Sequence, residues 1–221
     1  MPESTSSSSR PQVTVGAVVA AFLEQCGVKA AFGVISIHNM PILDAFAQRG
    51  QIRFVMARGE AGAGNMAGSL VEAYTAGAPL LHITGQIETP YLDKNLSYIH
   101  EAPDQLTMLD AVSKAAFRVR SAETALSTLK KAVQVATTAP TGPVSVEIPI
   151  DIQQTLVDLP QDLAPVPTST QPPSEAAIDA LAAHLAAARR PLLWLGGGAR
   201  HAGAAVQRLK ALGLGIVTTV Q

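Results

Sequence analysis

The chain has 221 residues, with 16 Lys and Arg against 17 Asp and Glu for a net charge of -1, so it lacks the cationic surplus that a nucleic-acid partner would require. Hydrophobic residues make up 48% and charged residues 15%, with a mean hydropathy of +0.24, which is the balance of a packed core and not of a disordered chain. Cys26 is the single cysteine, so an intrachain disulfide and any cysteine-based zinc cluster are ruled out. The reading that follows is a cytoplasmic protein, and the longest apolar stretch, residues 13–23 closed by Glu24, is too short to span a bilayer.

Residues 1–12 are polar and Ser-rich and read as a disordered tail. From Thr14 onward, Val15, Val18, Val19, Phe22, Leu23 and Cys26 repeat at helical spacing and define one apolar face. Gly27 stands where a left-handed helix cap is wanted, and residues 28–34 read as a short buried strand. Pro41 suits the first turn of a second helix with Ile42, Leu43, Ala45 and Phe46 inward, followed by a strand at 52–57. The rhythm continues with a helix at 65–74, strands at 79–84 and 115–119, a helix at 122–136 and a strand at 143–148. Such alternation predicts an α/β fold, a parallel sheet with helices on both faces.

Between residues 86 and 112 periodicity is poor, and Pro90 and Pro103 interrupt it, so this segment reads as a long loop with helical turns. Five prolines between 160 and 173 describe an extended linker, assigned to 152–173, that separates a domain at 13–151 from the beginning of a second, Rossmann-like α/β domain at 174–221. There Ser174 caps a helix carrying Ile178, Leu181 and Leu185, and Gly196, Gly197 and Gly198 follow a strand at 191–195. The glycine spacing misses the GxGxxG dinucleotide fingerprint and suits a tight turn.

Ligands of open parallel sheets bind beyond the carboxyl ends of strands, which directs attention to residues 35–39, 58–60, 85–88 and 196–199. Glu60, in the string RGEAGAGNMA, is the acidic side chain immediately after the second strand. On spacing alone it reads as a carboxylate stabilising a helix N-terminus, worth about 0.3–1 kcal/mol. His38 and Asn39 follow the first strand and Gln86 the strand at 79–84; loop polarity and turn capping are the alternative readings of these residue types, evenly balanced against a functional one for His38 and second to it for Gln86.

The strings GVKAAFGV, RGEAGA, PLLHITGQIE, TGPVSVEIPID and RRPLLWLGGGA, in this order, resemble thiamine-diphosphate-dependent enzymes of the acetolactate-synthase-like group over nearly everything from Val13 onward. The resemblance implies a pyrimidine-binding first domain, lyase or transferase chemistry on 2-oxo acids, and a homodimer or homotetramer. It makes Glu60 the catalytic carboxylate that hydrogen-bonds the aminopyrimidine and favours the imino tautomer, which removes the thiazolium proton. His38, Asn39 and Gln86 become cofactor-binding residues. His100 and Glu101 fall where acetolactate synthases carry Gln-Glu beside the substrate channel, so His100 departs from that pattern. No residue here is assigned to a metal, because the family's Gly-Asp-Gly magnesium motif belongs to a third domain and does not occur in this sequence. FAD stays open as a second cofactor, with no residue here that supports it.

One feature departs from the family pattern. Glu60 lies a single helix away from Pro79, where the family has a further strand, loop and helix, so a βα repeat of roughly 30 residues is absent. The expectation is therefore a shortened chain that does not turn over alone. Two other readings stay open at this stage: a noncatalytic module that pairs with full-length relatives, and an unrelated nucleotide-binding α/β protein.

Overall fold

The computed structural model describes residues 11–57, 63–168 and 172–219. Two compact units divide the chain, Met1–Thr168 and Ser169–Gln221.

The first unit begins with strand β1 (Gln12–Thr14) and helix α1 (Val15–Gln25). Thr14 caps α1, its hydroxyl accepting from the Ala17 N–H at 3.1 Å. The apolar face expected from the sequence is the buried one, with Val15, Val18, Val19, Phe22 and Leu23 inside. Gly27 adopts φ +80°, which frees the chain to turn into β2 (Ala30–Gly33). Helix α2 (Met40–Arg49) starts with Pro41 in its first turn and ends at Gly50, with φ +65°. A bidentate contact from Arg49 to Glu24, at 2.9 and 2.6 Å, ties α2 to α1. Strand β3 (Arg53–Met56) then returns parallel to β2, Ala31 opposite Phe54.

Helix α3 (Ala67–Thr75) leads to β4 (Leu81–Gln86), and α4 (Gln105–Val112) to β5 (Ala115–Arg118). After α5 (Ala125–Thr137) comes β6 (Val144–Pro149), all six residues of which are buried. Strand β6 is central, with β4 and β5 parallel to it on either side. Residues of α1, α2, α5 and β6 form one apolar core, and Ala31 of β2 and Leu81 and Ile83 of β4 pack against it. The parallel α/β architecture expected from the sequence is therefore present, but its strands form separate groups, β2–β3 and β4–β6–β5.

Helix α6 (Ile150–Gln154) follows β6 directly, and β7 (Leu156–Asp158) pairs antiparallel with β1, Gln12 opposite Asp158. Gln12 thus lies in a strand and not in a tail, and residues 152–158 of the supposed linker are ordered elements. Both strands are three residues long and depend on partners about 145 positions away, which no local pattern discloses. Helix α4 was likewise hidden in the irregular stretch, since Pro103 and a left-handed Asp104 (φ +55°) precede it.

In the second unit, Ser174 caps α7 (Glu175–Ala187), its hydroxyl accepting from the Ala177 N–H at 3.2 Å. Strands β8 (Leu192–Leu195) and β9 (Gly215–Thr218) are parallel, connected through a 3-10 turn at Gly197–Ala199 and helix α8 (Gly203–Ala211). The three glycines therefore serve the turn. No helix among the described residues is long and apolar enough to cross a membrane.

Candidate functional site

The carboxyl ends of β2 and β4 meet through the loop after β2. Ser36 opens a 3-10 turn at Ile37–Asn39: its hydroxyl accepts from the His38 N–H at 3.4 Å, and its own N–H donates to Asn39 Oδ1 at 2.9 Å. Asn39 Nδ2 donates back to the Val34 carbonyl at 2.9 Å, so both ends of this amide serve the loop. The His38 carbonyl accepts from Gln153 Nε2 of α6 at 2.7 Å, and the same nitrogen donates to the Ile148 carbonyl. These bonds hold His38 over Gly85, where an added Cβ would lie 2.0 Å from the His38 carbonyl oxygen.

Gln86 is 4% exposed and closes β4, its Oε1 accepting from the Ile87 N–H at 2.8 Å. The next acidic residue, Glu88, lies close enough to His38 to raise its pKa, whereas partial burial, the larger effect, and the neighbouring His100 lower it; the net direction is down. The His38 and His100 rings meet edge to face with centroids 5.3 Å apart. Desolvation and the Glu88 carboxylate push the Tyr98 phenol up, and the Tyr98 N–H donates to Glu101 Oε2 at 2.9 Å. Tyr98 also stacks on Tyr91 with centroids 4.2 Å apart. The structure thus brings His38 and His100 of the sequence-derived set into contact and sets Glu101 on the neighbouring Tyr98, while Gln86 bonds at the end of its own strand and Asn39 supports the loop. Glu60 lies outside the described residues.

Glu88 and Tyr98 were not singled out from the sequence. Glu88 does fall in the window after β4 that topology marks, so a signal for it existed; Tyr98 had none, because its neighbours are set by the long segment's path. That path is strained: Asp93, Asn95, Ser97, His100 and Asp104 all have φ between +52° and +66°. Non-glycine residues rarely adopt this region, at a cost on the order of 1–2 kcal/mol each, and such outliers cluster where surrounding structure enforces them for function.

Glu88 Oε2 and Glu101 Oε1 are buried oxygens with no hydrogen-bond partner among the described residues. Acceptors in that state suit a ligand bearing N–H groups, and the amino group of an aminopyrimidine is one. Among the described residues no group of His, Cys, Asp and Glu is arranged to hold a metal ion.

Below this cluster lies a buried ion pair. Glu147 of β6, fully buried, pairs with Arg118 of β5 and accepts from Gln105 Nε2 of α4 at 3.0 Å; Arg118 also reaches Asp93 in the strained segment. The pair therefore joins the central strand to the loop that carries His100.

Comparison with known proteins identifies the class. Residues 13–70 match the family described as thiamine pyrophosphate enzyme, N-terminal TPP binding domain. This match places residues 13–70 with the N-terminal domain of thiamine-diphosphate-dependent enzymes.

Among curated relatives, the chain is 28% identical over 235 residues to the acetolactate synthase isozyme 1 large subunit of Escherichia coli K12, an alignment covering 95% of this chain and 41% of the relative. It is 30% identical over 224 residues to a probable 2-ketoarginine decarboxylase of Pseudomonas aeruginosa, covering 89% of this chain and 40% of that protein. A glyoxylate carboligase of Escherichia coli O157:H7 is 30% identical over 210 residues, 83% of this chain and 35% of the relative. The chain thus spans less than half the length of each of these relatives.

Proposed function

We propose that this chain supplies the pyrimidine side of a thiamine-diphosphate site in a lyase or synthase acting on 2-oxo acids. The observation that supports the reading best is the cluster of His38, His100, Glu88 and Glu101 beside the carboxyl ends of β2 and β4, the two glutamates with unpartnered buried acceptors, in a chain whose residues 13–70 match this family. Two of the relatives named above are named for 2-oxo acids, a decarboxylase of 2-ketoarginine and a carboligase of glyoxylate, which fits a 2-oxo acid substrate.

When bound, thiamine diphosphate supplies an electron sink for making or breaking the carbon–carbon bond beside a 2-oxo group. The residues of this chain orient and protonate. Glu60 is assigned the hydrogen bond to the aminopyrimidine and the exchange of a proton with it, a role a carboxyl near neutral pH can fill. Gln86 positions the ring, His38 and His100 face the reacting side, and Glu101 borders the substrate channel. Magnesium and the diphosphate are assigned to contacts outside these 221 residues, so the chain by itself is inactive. A homo-oligomer and a cytoplasmic location complete the reading.

The test is titration of the 221-residue chain with thiamine diphosphate, with and without magnesium, followed by NMR at His38 and Gln86. Weak, magnesium-independent binding that shifts both residues is expected, weakened about tenfold by Glu60→Gln, in line with the loss of a hydrogen bond to a charged group. Tight, magnesium-dependent binding would place the diphosphate contacts within this chain. Saturating cofactor without any shift at His38 or Gln86 would sink the pyrimidine assignment.

A further inference from the structure

Helix α6 starts on the rim of the sheet that carries the candidate site. Strand β6 runs without a loop into Ile150, and its last residue, Pro149, pairs with Gln86 at the end of β4. Apolar residues fix the helix there. Ile150 and Ile152 are buried, α6 packs against α1, α2 and the Ile37–Asn39 turn, and the Thr155 carbonyl beyond its end accepts from the Val15 N–H at 3.0 Å.

The polar residues of α6 serve two different loops. Asp151 and Gln153 are two positions apart, and on a helix such side chains leave about 200° round the axis from each other. Asp151 Oδ1 accepts from the Thr89 N–H at 3.1 Å, on the peptide that joins Glu88 to Thr89. Gln153 Nε2 donates to the His38 carbonyl at 2.7 Å and to the Ile148 carbonyl, also at 2.7 Å. One short helix therefore holds the backbone at both His38 and Glu88.

Gln153 is fully buried, and its Oε1 has no hydrogen-bond partner among the described residues. A buried acceptor left unpaired is destabilising and calls for another reason to be there; the two carbonyls bound by the other end of the same amide supply it. The separation of the two loops matters because His38 responds to Glu88. The titratable groups acting on His38 are Glu88, whose carboxylate favours the charged ring, and His100, which together with burial disfavours it. Such coupling weakens with distance, so a shift of one loop against the other alters it.

We propose that Asp151 and Gln153 are positioning residues of the site, which hold the Glu88 carboxylate and the His38 ring at a set separation. Each acts through a backbone hydrogen bond, one at Thr89 and one at the His38 carbonyl. This role rests on the reading of His38 as a residue of the cofactor site, but the geometry is measured on the chain without cofactor, so its failure and that of the cofactor reading are separate results.

The measurement is the titration of the His38 ring by NMR in the whole 221-residue chain, with and without Glu88→Gln. In the parent chain Glu88→Gln is expected to lower the His38 pKa. In Asp151→Ala that effect should be lost, because the segment carrying the carboxylate is released, and Asp151→Asn, which keeps an acceptor oxygen, should restore it. Gln153→Met, of similar length but without a donor, should abolish the Glu88 effect together with the nuclear Overhauser contact between the His38 and His100 rings. If Gln153→Met does not fold, the shorter Gln153→Asn takes its place with the same expectation. Lys114→Met is the control for stability: it removes bonds from Lys114 Nζ to the Val135 and Thr138 carbonyls at 2.6 and 2.7 Å, and should lower Tm while leaving the Glu88 effect intact. An undiminished Glu88 effect in Asp151→Ala or in the Gln153 variant overturns the proposal. So does its absence from the parent chain, its loss in Lys114→Met, or its failure to return in Asp151→Asn.

Discussion

The backbone carbonyl of His38 occupies the space that a side chain at residue 85 would need. An ideal Cβ on Gly85 comes 2.0 Å from that oxygen and 2.6 Å from the His38 Cβ. The turn and the strand are in contact because one of them has no side chain, and this contact holds His38 against the end of β4.

Gly85→Ala should therefore push the Ile37–Asn39 turn off β4. Overpacking of this kind costs about 1–3 kcal/mol, and the obstructing atoms are backbone, which cannot swing aside. Thermal unfolding should show a lowered Tm, and the His38 and Gln86 resonances should both move. Gly68→Ala in α3, where nothing lies within 4 Å, is the control and should be neutral or mildly stabilising. Equal Tm values for the two variants would refute the contact.

Arg118 and Glu147 form a pair whose side chains are 10% and 0% exposed. Arg118→Met leaves a buried carboxylate with Gln105 alone and should cost about 3–5 kcal/mol, whereas Arg118→Met combined with Glu147→Leu should recover most of it. Asp93, with its side chain 62% exposed, is the outer partner of Arg118, and Asp93→Ala should cost no more than about 1 kcal/mol. Urea unfolding of the variants checks the ranking; a double variant no more stable than Arg118→Met would contradict it.

His82 in β4 places Nδ1 3.1 Å from the Ser145 hydroxyl, which in turn lies 2.7 Å from the Ser113 hydroxyl. Burial holds its pKa down, from 6.5 to about 4. Unfolding frees the ring to protonate, so the unfolded chain binds more protons between those two values and stability must fall as pH drops through that window. Above pH 6.5 both states are neutral and the contribution is flat. The loss is on the order of 3 kcal/mol by pH 4, levelling below it. Denaturation midpoints measured from pH 7 to pH 4 should show this slope, and His82→Leu should flatten it.

Glu88 raises the His38 pKa while burial and His100 lower it. Glu88→Gln removes the opposing influence, so His38 should titrate at still lower pH, as followed by its ring proton shifts. His100→Gln should move it the other way. Shifts of the same sign in both variants would mean that the three side chains are not neighbours in solution.

Much of the fold was legible because its signals are local. The Val15, Val18, Val19, Phe22 and Leu23 stripe became the buried face of α1, and the small and branched residues of 143–148 became the buried β6. The rule that ligands bind beyond strand ends marks His38 and Gln86 from the sequence, and both do follow or close parallel strands, β2 and β4. Helix α4 and the β1–β7 pair were not legible, since an unusual Asp104 backbone and a pairing of three residues across the whole unit leave no periodic trace.

Sequence by itself determined the parallel α/β class, the strand ends that carry polar residues and the family, because hydrophobic period and turn chemistry are written in neighbouring residues. Tertiary structure alone decided that His38 and His100, 62 positions apart, meet ring to ring, and that Arg118 reaches both Glu147 and Asp93. Those outcomes depend on distances between segments remote along the chain, and such distances are fixed only when the core of α1, α5 and β6 closes around them.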